Sequence, residues 1–316
     1  MNKVMVTGCY GFIASRLIQI LLERGHSVVG FGRASNVRNQ TRLHDVIGHP
    51  ALRIIHGDLQ DVNEVSGLLE GIDVVYHLAA KTFVDHSIKD PLAFVGSNII
   101  GTYNLLESAR QYRPKVFLNV STDEVYGAIL EGAYKEDSRL NPTNPYAASK
   151  AAADMLCLSY ANTYDLDIRI TRSENVCGPW QHPQKVFPTF VRKILAGEKL
   201  PIYGDGQHKR MWIYVDDNIA GLIKVVEEGK KGQIYHVAGS QELTNLDLAK
   251  KILARMKASE DLISFIPDHN IRPGHDRRYA LDSSKLHLLG WEPGYSLDET
   301  INTSVDWYVN HKEWLT

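Results

Sequence analysis

Tyr146 and Lys150 stand four residues apart in NPYAASK. On a helix that spacing puts both side chains on one face. An ammonium beside a phenol favours the phenolate and lowers its pKa from about 10. The pair then reads as a base for a hydroxyl near neutral pH, with Lys150 also placed to hold a ribose. Ser121-Thr122-Asp123-Glu124 sets two carboxyls side by side. Like charges raise each other's pKa, so one group can stay protonated as an acid while the other works as a base. Loss of water from a sugar needs such a pair: a base for a carbon-bound proton and an acid for the departing hydroxyl. The plainer readings are a solvated Tyr/Lys pair and an Asp-Glu cap on the next turn.

Gly8, Gly11 and Ala14 form G-x-x-G-x-x-A between an apolar run and a helical pattern. Glycine there allows a tight turn and close approach of backbone to a pyrophosphate, which the helix N-terminus attracts. At the end of the next strand, where an acid would hold the ribose of NAD, the chain reads Gly30-Phe31-Gly32-Arg33. Arg33 suits a 2′-phosphate and leans toward NADP; it also fits a solvated loop arginine. Asp58 could accept a hydrogen bond from adenine or cap the next helix. The candidate cofactor contacts are Gly8, Gly11, Phe12, Ile13, Arg33, Asp58 and Leu59, with Tyr146 and Lys150.

These groups need elements to carry them. Strand patterns cover Lys3 to Thr7, Ser27 to Phe31, Leu52 to His56, Asp73 to Leu78, Lys115 to Val120 and Asp167 to Thr171. Helical patterns lie between them, including Phe12 to Arg24, Pro91 to Arg113 and Pro145 to Tyr164, and Asp61 with Glu64 resembles a capping box. Such alternation predicts an α/β, Rossmann-type, doubly wound parallel sheet over residues 1–173. After Thr171 glycine and proline become dense. Helices are expected at Thr189 to Ala196, Asp216 to Glu227, from Thr244 to about Met256, and after a Ser296/Glu299 capping box, with a strand at Gln233 to Val237. Residues 174–316 read as a smaller α/β substrate lobe, some segments of which could return to the main sheet.

Composition narrows the partners. The 316 residues carry 35 basic and 37 acidic side chains, a net charge of −2, so no global basic field exists for a nucleic acid polymer or an anionic membrane. Cys9, Cys157 and Cys177 have no paired spacing, which fits a reducing, cytoplasmic compartment and no Cys-based metal site. No leader segment and no run approaching about 20 apolar residues is seen. Thirteen histidines show no metal-binding spacing, so no metal is expected.

VSTDEVYG, NPYAASKAAAD, GPWQHPQKVFP, YGDGQHKRMWIYVDD and RPGHDRRYALD occur in that order. Together they resemble the dTDP-glucose 4,6-dehydratases of the extended short-chain dehydrogenase/reductase superfamily, from about Lys3 to Trp307. The resemblance implies that Tyr146, assisted by Thr122, takes the C4 hydroxyl proton while a tightly bound NAD or NADP accepts hydride from C4. It implies that Glu124 removes the C5 proton, Asp123 protonates the C6 hydroxyl, and hydride returns to C6. It also implies a nucleotide-diphosphate sugar as partner, with Arg210, Arg272 and His275 toward the pyrophosphate, Asn175 and Lys185 nearer the sugar, and Tyr279 nearer the nucleotide. A homodimer is expected on the same ground.

The chain departs from that family at Ala14, Phe83, Glu174, Cys177, Gln184 and Met211, where the family has glycine, histidine, serine, tyrosine, an acid and aspartate. Cys177 reads as a packed thiol. The alternatives are a nucleotide-sugar 4-epimerase or a UDP-glucuronate decarboxylase. Epimerisation at C4 needs no proton shuttle at C5 and C6, so the Asp123-Glu124 pair separates it from a dehydratase; decarboxylation would need an extra cation for the uronate carboxylate, for which the sequence offers no clear candidate.

Overall fold

The computed structural model describes residues 2–34, 37–267 and 276–315. Strands β1 (Lys3–Thr7), β2 (Ser27–Gly32), β3 (Leu52–His56), β4 (Val74–His77), β5 (Val116–Thr122) and β6 (Ile168–Ser173) come from the first half of the chain. With β10 (Ile234–Val237) they form a seven-stranded sheet in the order β10-β6-β5-β4-β1-β2-β3. Every neighbouring pair in it is parallel. Both faces are covered, which is why strands such as VMVT in β1 are buried throughout rather than alternating. Four of the six first-half strands follow the expected spans to within a residue, while β5 runs on to Thr122 and β6 to Ser173. The order is that of a doubly wound Rossmann sheet extended by one strand.

On one face, the helix Phe12–Glu23 packs Leu17, Ile18 and Leu21 against Ile219 and Leu222 of the helix Val215–Glu228. On the other, Leu105 and Leu106 of the helix Gly101–Tyr112 meet Met5, Phe117 and Cys157. Cys157 belongs to the helix Pro145–Thr163, which runs beneath β5 and β6. A buried ion pair, Arg172 to Asp154 at 2.9 Å, fixes that helix to β6, and Asn119 of β5 donates to the same carboxylate. Removing one partner of such a buried pair is strongly destabilising.

The remaining strands build two small sheets. β7 (Asn175–Cys177), β9 (Lys209–Tyr214) and β11 (Glu242–Thr244) form one, and β8 (Leu200–Tyr203) pairs with β12 (Ile263–Ile266) in the other. A separate core of Phe187, Trp212, Leu248, Ile252 and Tyr308 packs around them. Thr244 caps its helix and Ser296 and Glu299 form the expected capping box.

Several expectations are corrected. The single helix expected over Pro91 to Arg113 is α-helical at Pro91–Phe94, π-helical at Val95–Ile100 and α-helical again from Gly101. The wide turn carries Asn98, which accepts from the Lys81 backbone and donates to Ser149. The helix expected from Thr189 starts at Val186, because Pro188 falls in the first turn, where no backbone donor is needed. Asp61 and Glu64 do not make a capping box. Asp61 caps Asn63, while Glu64 accepts from the Asp58 backbone at 2.6 Å.

Candidate active site

The carboxyl ends of β5 and β6 and the start of the helix Pro145–Thr163 meet at one place. Thr122 ends β5 and opens a short 3-10 turn; its hydroxyl accepts from the Glu124 backbone and donates to Asp123 Oδ1 at 2.9 Å. Asn144 caps the helix by accepting from Ala147, Pro145 fills the first position, and Tyr146 follows. The amide of Asn144 also donates to Glu124 Oε2 at 3.2 Å, joining the acid pair to the Tyr/Lys helix. Tyr146 shares a hydrogen bond with the Thr122 side chain and meets Phe94 edge-on. The five residues expected to do the chemistry are thus gathered at one strand end.

Their environments separate them. Burial, with the Glu124 charge second, pushes Asp123 up to about 7. Burial raises Glu124 too, but Asn144 and the positive charges of Lys185 and Arg210 oppose the rise. The two adjacent carboxyls are therefore differently poised, as an acid and a base need to be. The expectation that Lys150 lowers the Tyr146 phenol is corrected. Burial and then the Glu124 charge drive the phenol up, and the Thr122 hydrogen bond opposes this. Lys150 donates to the Val120 carbonyl at 2.8 Å and itself loses basicity through burial.

The glycine loop fits a dinucleotide. Gly8 has φ +70°, and a Cβ there would lie 2.9 Å from the Ala79 Cα; one on Gly11 would lie 3.0 Å from the Gly8 carbonyl. The helix that follows has no side-chain cap and no acid in its first turn, leaving its N-terminus open to an anion. Phe12 and Ile13 are half-buried in that turn. Arg33 lies 3.7 Å from Asp58 across the ends of β2 and β3. Leu59 is buried, and a Cβ on Gly101 would meet its side chain at 3.0 Å.

The expected substrate residues are divided. Asn175 begins β7 opposite Trp212. Lys185 lies 4.7 Å over the ring of Phe83, so the aromatic departure at 83 forms a platform for that ammonium. Arg210 is buried, donates to the carbonyls of Lys209, Asp276 and Arg277, and stacks 4.4 Å from the Tyr279 ring. Tyr279 was expected nearer the nucleotide. Its hydroxyl donates to Asp276 at 2.7 Å, and the Glu124 charge is, after burial, the next cause raising its phenol, so it stands toward the acid pair. Arg272 and His275 lie outside the described residues. Arg277 forms a half-exposed pair with Asp205, and Arg278 pairs with Glu242. Cys177 is buried and its thiol is pushed up to about 12, as suits a packed side chain.

Three residues near the site carried no assigned role in the sequence reading. Asn144 was signalled by Asn-Pro before a helix. Asp276, which binds Thr143 and Tyr279, gave no local signal. Glu174 was visible only as a departure; its carboxyl is buried behind Asp123 and accepts from Leu281.

The chain is similar to known proteins along nearly its whole length. A family model described as GDP-mannose 4,6 dehydratase matches residues 5–304. The low-salt glycan biosynthesis protein Agl12 of Haloferax volcanii is 43% identical over 98% of this chain and 99% of its own length. A dTDP-glucose 4,6-dehydratase of Streptomyces antibioticus is 40% identical over 99% of this chain and 94% of its own. The crystal structure of DesIV, a dTDP-glucose 4,6-dehydratase from Streptomyces venezuelae solved with NAD bound, superposes with a TM-score of 0.94 at 38% identity, covering 99% and 98% of the two chains. With the acid pair, the Tyr/Lys helix and the glycine loop all present on a matching fold, the chain belongs to the GDP-mannose 4,6 dehydratase family.

Proposed function

We propose that this protein is a nucleotide-diphosphate-hexose 4,6-dehydratase acting on a dTDP-glucose-type substrate. The observation that carries the reading is the adjacent pair Asp123, buried, and Glu124, half-buried, differently poised beside Tyr146. Tyr146 takes the C4 hydroxyl proton, with Thr122 hydrogen-bonded to the phenol. Once C4 is a ketone, the C5 proton is acidified; Glu124 removes it and later returns it. Asp123 gives its proton to the C6 hydroxyl, which leaves as water. A bound nicotinamide dinucleotide supplies hydride acceptance at C4, hydride return at C6 and a positive ring charge that favours the phenolate.

Residues 1–173 are assigned to the dinucleotide and 174–316 to the nucleotide sugar, with β10 as a return to the main sheet. Gly8, Gly11, Phe12 and Ile13 hold the pyrophosphate, and Asp58 and Leu59 lie toward the adenine side. NAD is the favoured dinucleotide: the solved relative holds it, and Arg33, on which a preference for NADP rests, already faces the Asp58 carboxylate. Arg210 serves the diphosphate and Asn175 and Lys185 the sugar, with Arg272 and His275 as further phosphate ligands by resemblance. No helix among the described residues is long and apolar enough to cross a membrane, and a cytoplasmic location is proposed. A homodimer is proposed through the two helices that leave Leu92, Ile100, Tyr103 and Met155 exposed.

Incubation with dTDP-glucose and no added oxidant should give a 4-keto-6-deoxy product and one water. Recovery of dTDP-, UDP-, CDP- and GDP-hexoses unchanged from dinucleotide-loaded enzyme would sink the reading. A C4 epimer without loss of water would replace it with the epimerase.

A further inference from the structure

Each turnover of the dehydration leaves Asp123 one proton short, because its proton departs in the water formed at C6. Tyr146 ends the same turnover one proton ahead. Asp123 is buried, so its proton has to be resupplied through the protein or through the substrate pocket.

Glu174 stands where a supply would enter. β5 and β6 are adjacent, with Thr122 paired to Ser173, so Asp123 and Glu174 are the next residues on the two strands. Both are buried, at 4% and 5% exposure. The Glu174 backbone donates to Val237 of β10, and its Oε1 accepts from Leu281 at 2.9 Å. Glu174 Oε2 and Asp123 Oδ2 are both buried with no protein partner. The charged groups facing Glu174 are Asp123, Glu242 and Arg278, and Arg278 is already paired with Glu242. Burial, then the Asp123 charge, holds the Glu174 carboxyl well above the usual range.

A solvent-accessible cavity of about 470 Å³ lies on the far side of the backbone that holds Glu174. Its lining includes Gly239 and Leu281, the residues whose backbone N–H groups hold the Glu174 carboxyl. Asp282, Ser283, Ser284 and His287 give the same cavity a polar wall able to hold water.

We propose that Glu174 relays protons from solvent in this cavity to Asp123, and is a positioning residue for the acid rather than a group that touches the sugar. The proposal rests on the dehydratase reading. After water leaves, the O–H bond at Glu174 Oε2 breaks and its proton bonds to Asp123 Oδ2. A proton from solvent restores Glu174, and Tyr146 releases its extra proton, so the enzyme returns to its starting state with no electron transferred. The relay uses the side of Asp123 away from the nucleotide sugar and does not need the substrate pocket to open.

The test compares wild type with Glu174→Gln on dTDP-glucose. Asp123 starts protonated, so the first turnover of the variant should run at the wild-type rate. Later turnovers should slow about tenfold, a barrier increase of about 1.4 kcal/mol, with KM unchanged and a larger solvent deuterium effect on kcat. Equal steady-state rates and isotope effects overturn the relay. So does a first turnover slowed as much as the rest, which marks a structural defect. Carbon-13 NMR of carboxyl-labelled glutamates in the wild type tests the relay without turnover. A glutamate signal still protonated above neutral pH and lost in Glu174→Asp or Glu174→Gln supports it; glutamates all ionised at neutral pH overturn it. Wild type that leaves every hexose unchanged overturns the dehydratase reading, and the NMR titration then judges the Glu174 proton separately.

Discussion

Asn144 binds Glu124. Its side-chain oxygen caps the helix by accepting from Ala147 at 2.9 Å, and its amide nitrogen donates to Glu124 Oε2 at 3.2 Å. One side chain therefore sets both the entry of the Tyr146 helix and the aim of the carboxylate beside it. Glu124 is raised by burial and held down first by this bond, so the bond also keeps it available as a base.

Asn144→Ser should separate the two duties. Serine keeps the cap, so the melting temperature should stay near wild type, whereas Asn144→Ala should lose about 1 kcal/mol. Both variants lose the donor to Glu124, whose pKa then rises. The acid limb of the kcat profile should move to higher pH, and exchange of the C5 hydrogen with deuterated water should slow about tenfold, about 1.4 kcal/mol of barrier. A profile unchanged in Asn144→Ser would show that Glu124 does not depend on the amide.

Asp123 must be protonated to release water, and it is pushed up to about 7. The elimination step should therefore fall as pH rises through neutrality. Stability follows the same sign. The native state holds a proton that the unfolded chain releases at its ordinary value of 3.8. The contribution is full below that value and is lost as pH rises toward about 7, so unfolding free energy from this group declines across the window and then levels. Denaturant titrations at several pH values should show that decline in wild type and a flatter curve in Asp123→Asn.

The sheet was legible because six apolar strand patterns alternate with helices, and a parallel sheet leaves few topologies once crossovers are right-handed. The acid pair and the Tyr/Lys spacing were legible because each lies within a few residues. What was not legible is carried by contacts between distant segments. Nothing local in Ile234–Val237 says that it joins β6 rather than the second lobe. Lys185 over Phe83 and Tyr279 toward the acid pair are likewise meetings of distant loops. The phenol of Tyr146 misled for a related reason: the Lys150 spacing is visible in sequence, whereas the burial that outweighs it is not.

Gly8→Ala should empty the dinucleotide site. The residue has φ +70°, and its Cβ would stand 2.9 Å from the backbone of Ala79. Left-handed backbone costs an alanine roughly 1–2 kcal/mol, and relief of the clash must move the loop that cradles the pyrophosphate. Gly25→Ala is the control, since Gly25 has φ +78° but open space around it. Mass spectrometry of nucleotides released on denaturation should find NAD in wild type and Gly25→Ala and little or none in Gly8→Ala. Equal dinucleotide content in all three would remove this loop from the site.

The apolar residues left uncovered on the two long helices predict a second copy as their partner. Leu92 is 77% exposed, Tyr103 43% and Met155 46%, on helices whose opposite faces already fill the core. A patch of large side chains left in water favours association, at about 25 cal/mol per Å² of apolar surface removed. Leu92→Glu combined with Tyr103→Glu should place two charges of like sign on each side of a twofold contact, where they oppose their own copies. Sedimentation velocity should then show wild type as a dimer and the double variant as a monomer, with circular dichroism unchanged. Because the π turn between those two residues carries Asn98, which donates to Ser149 on the Tyr146 helix, loss of the dimer should also lower kcat. A wild type that sediments as a monomer at all concentrations would leave these helices without a self-contact.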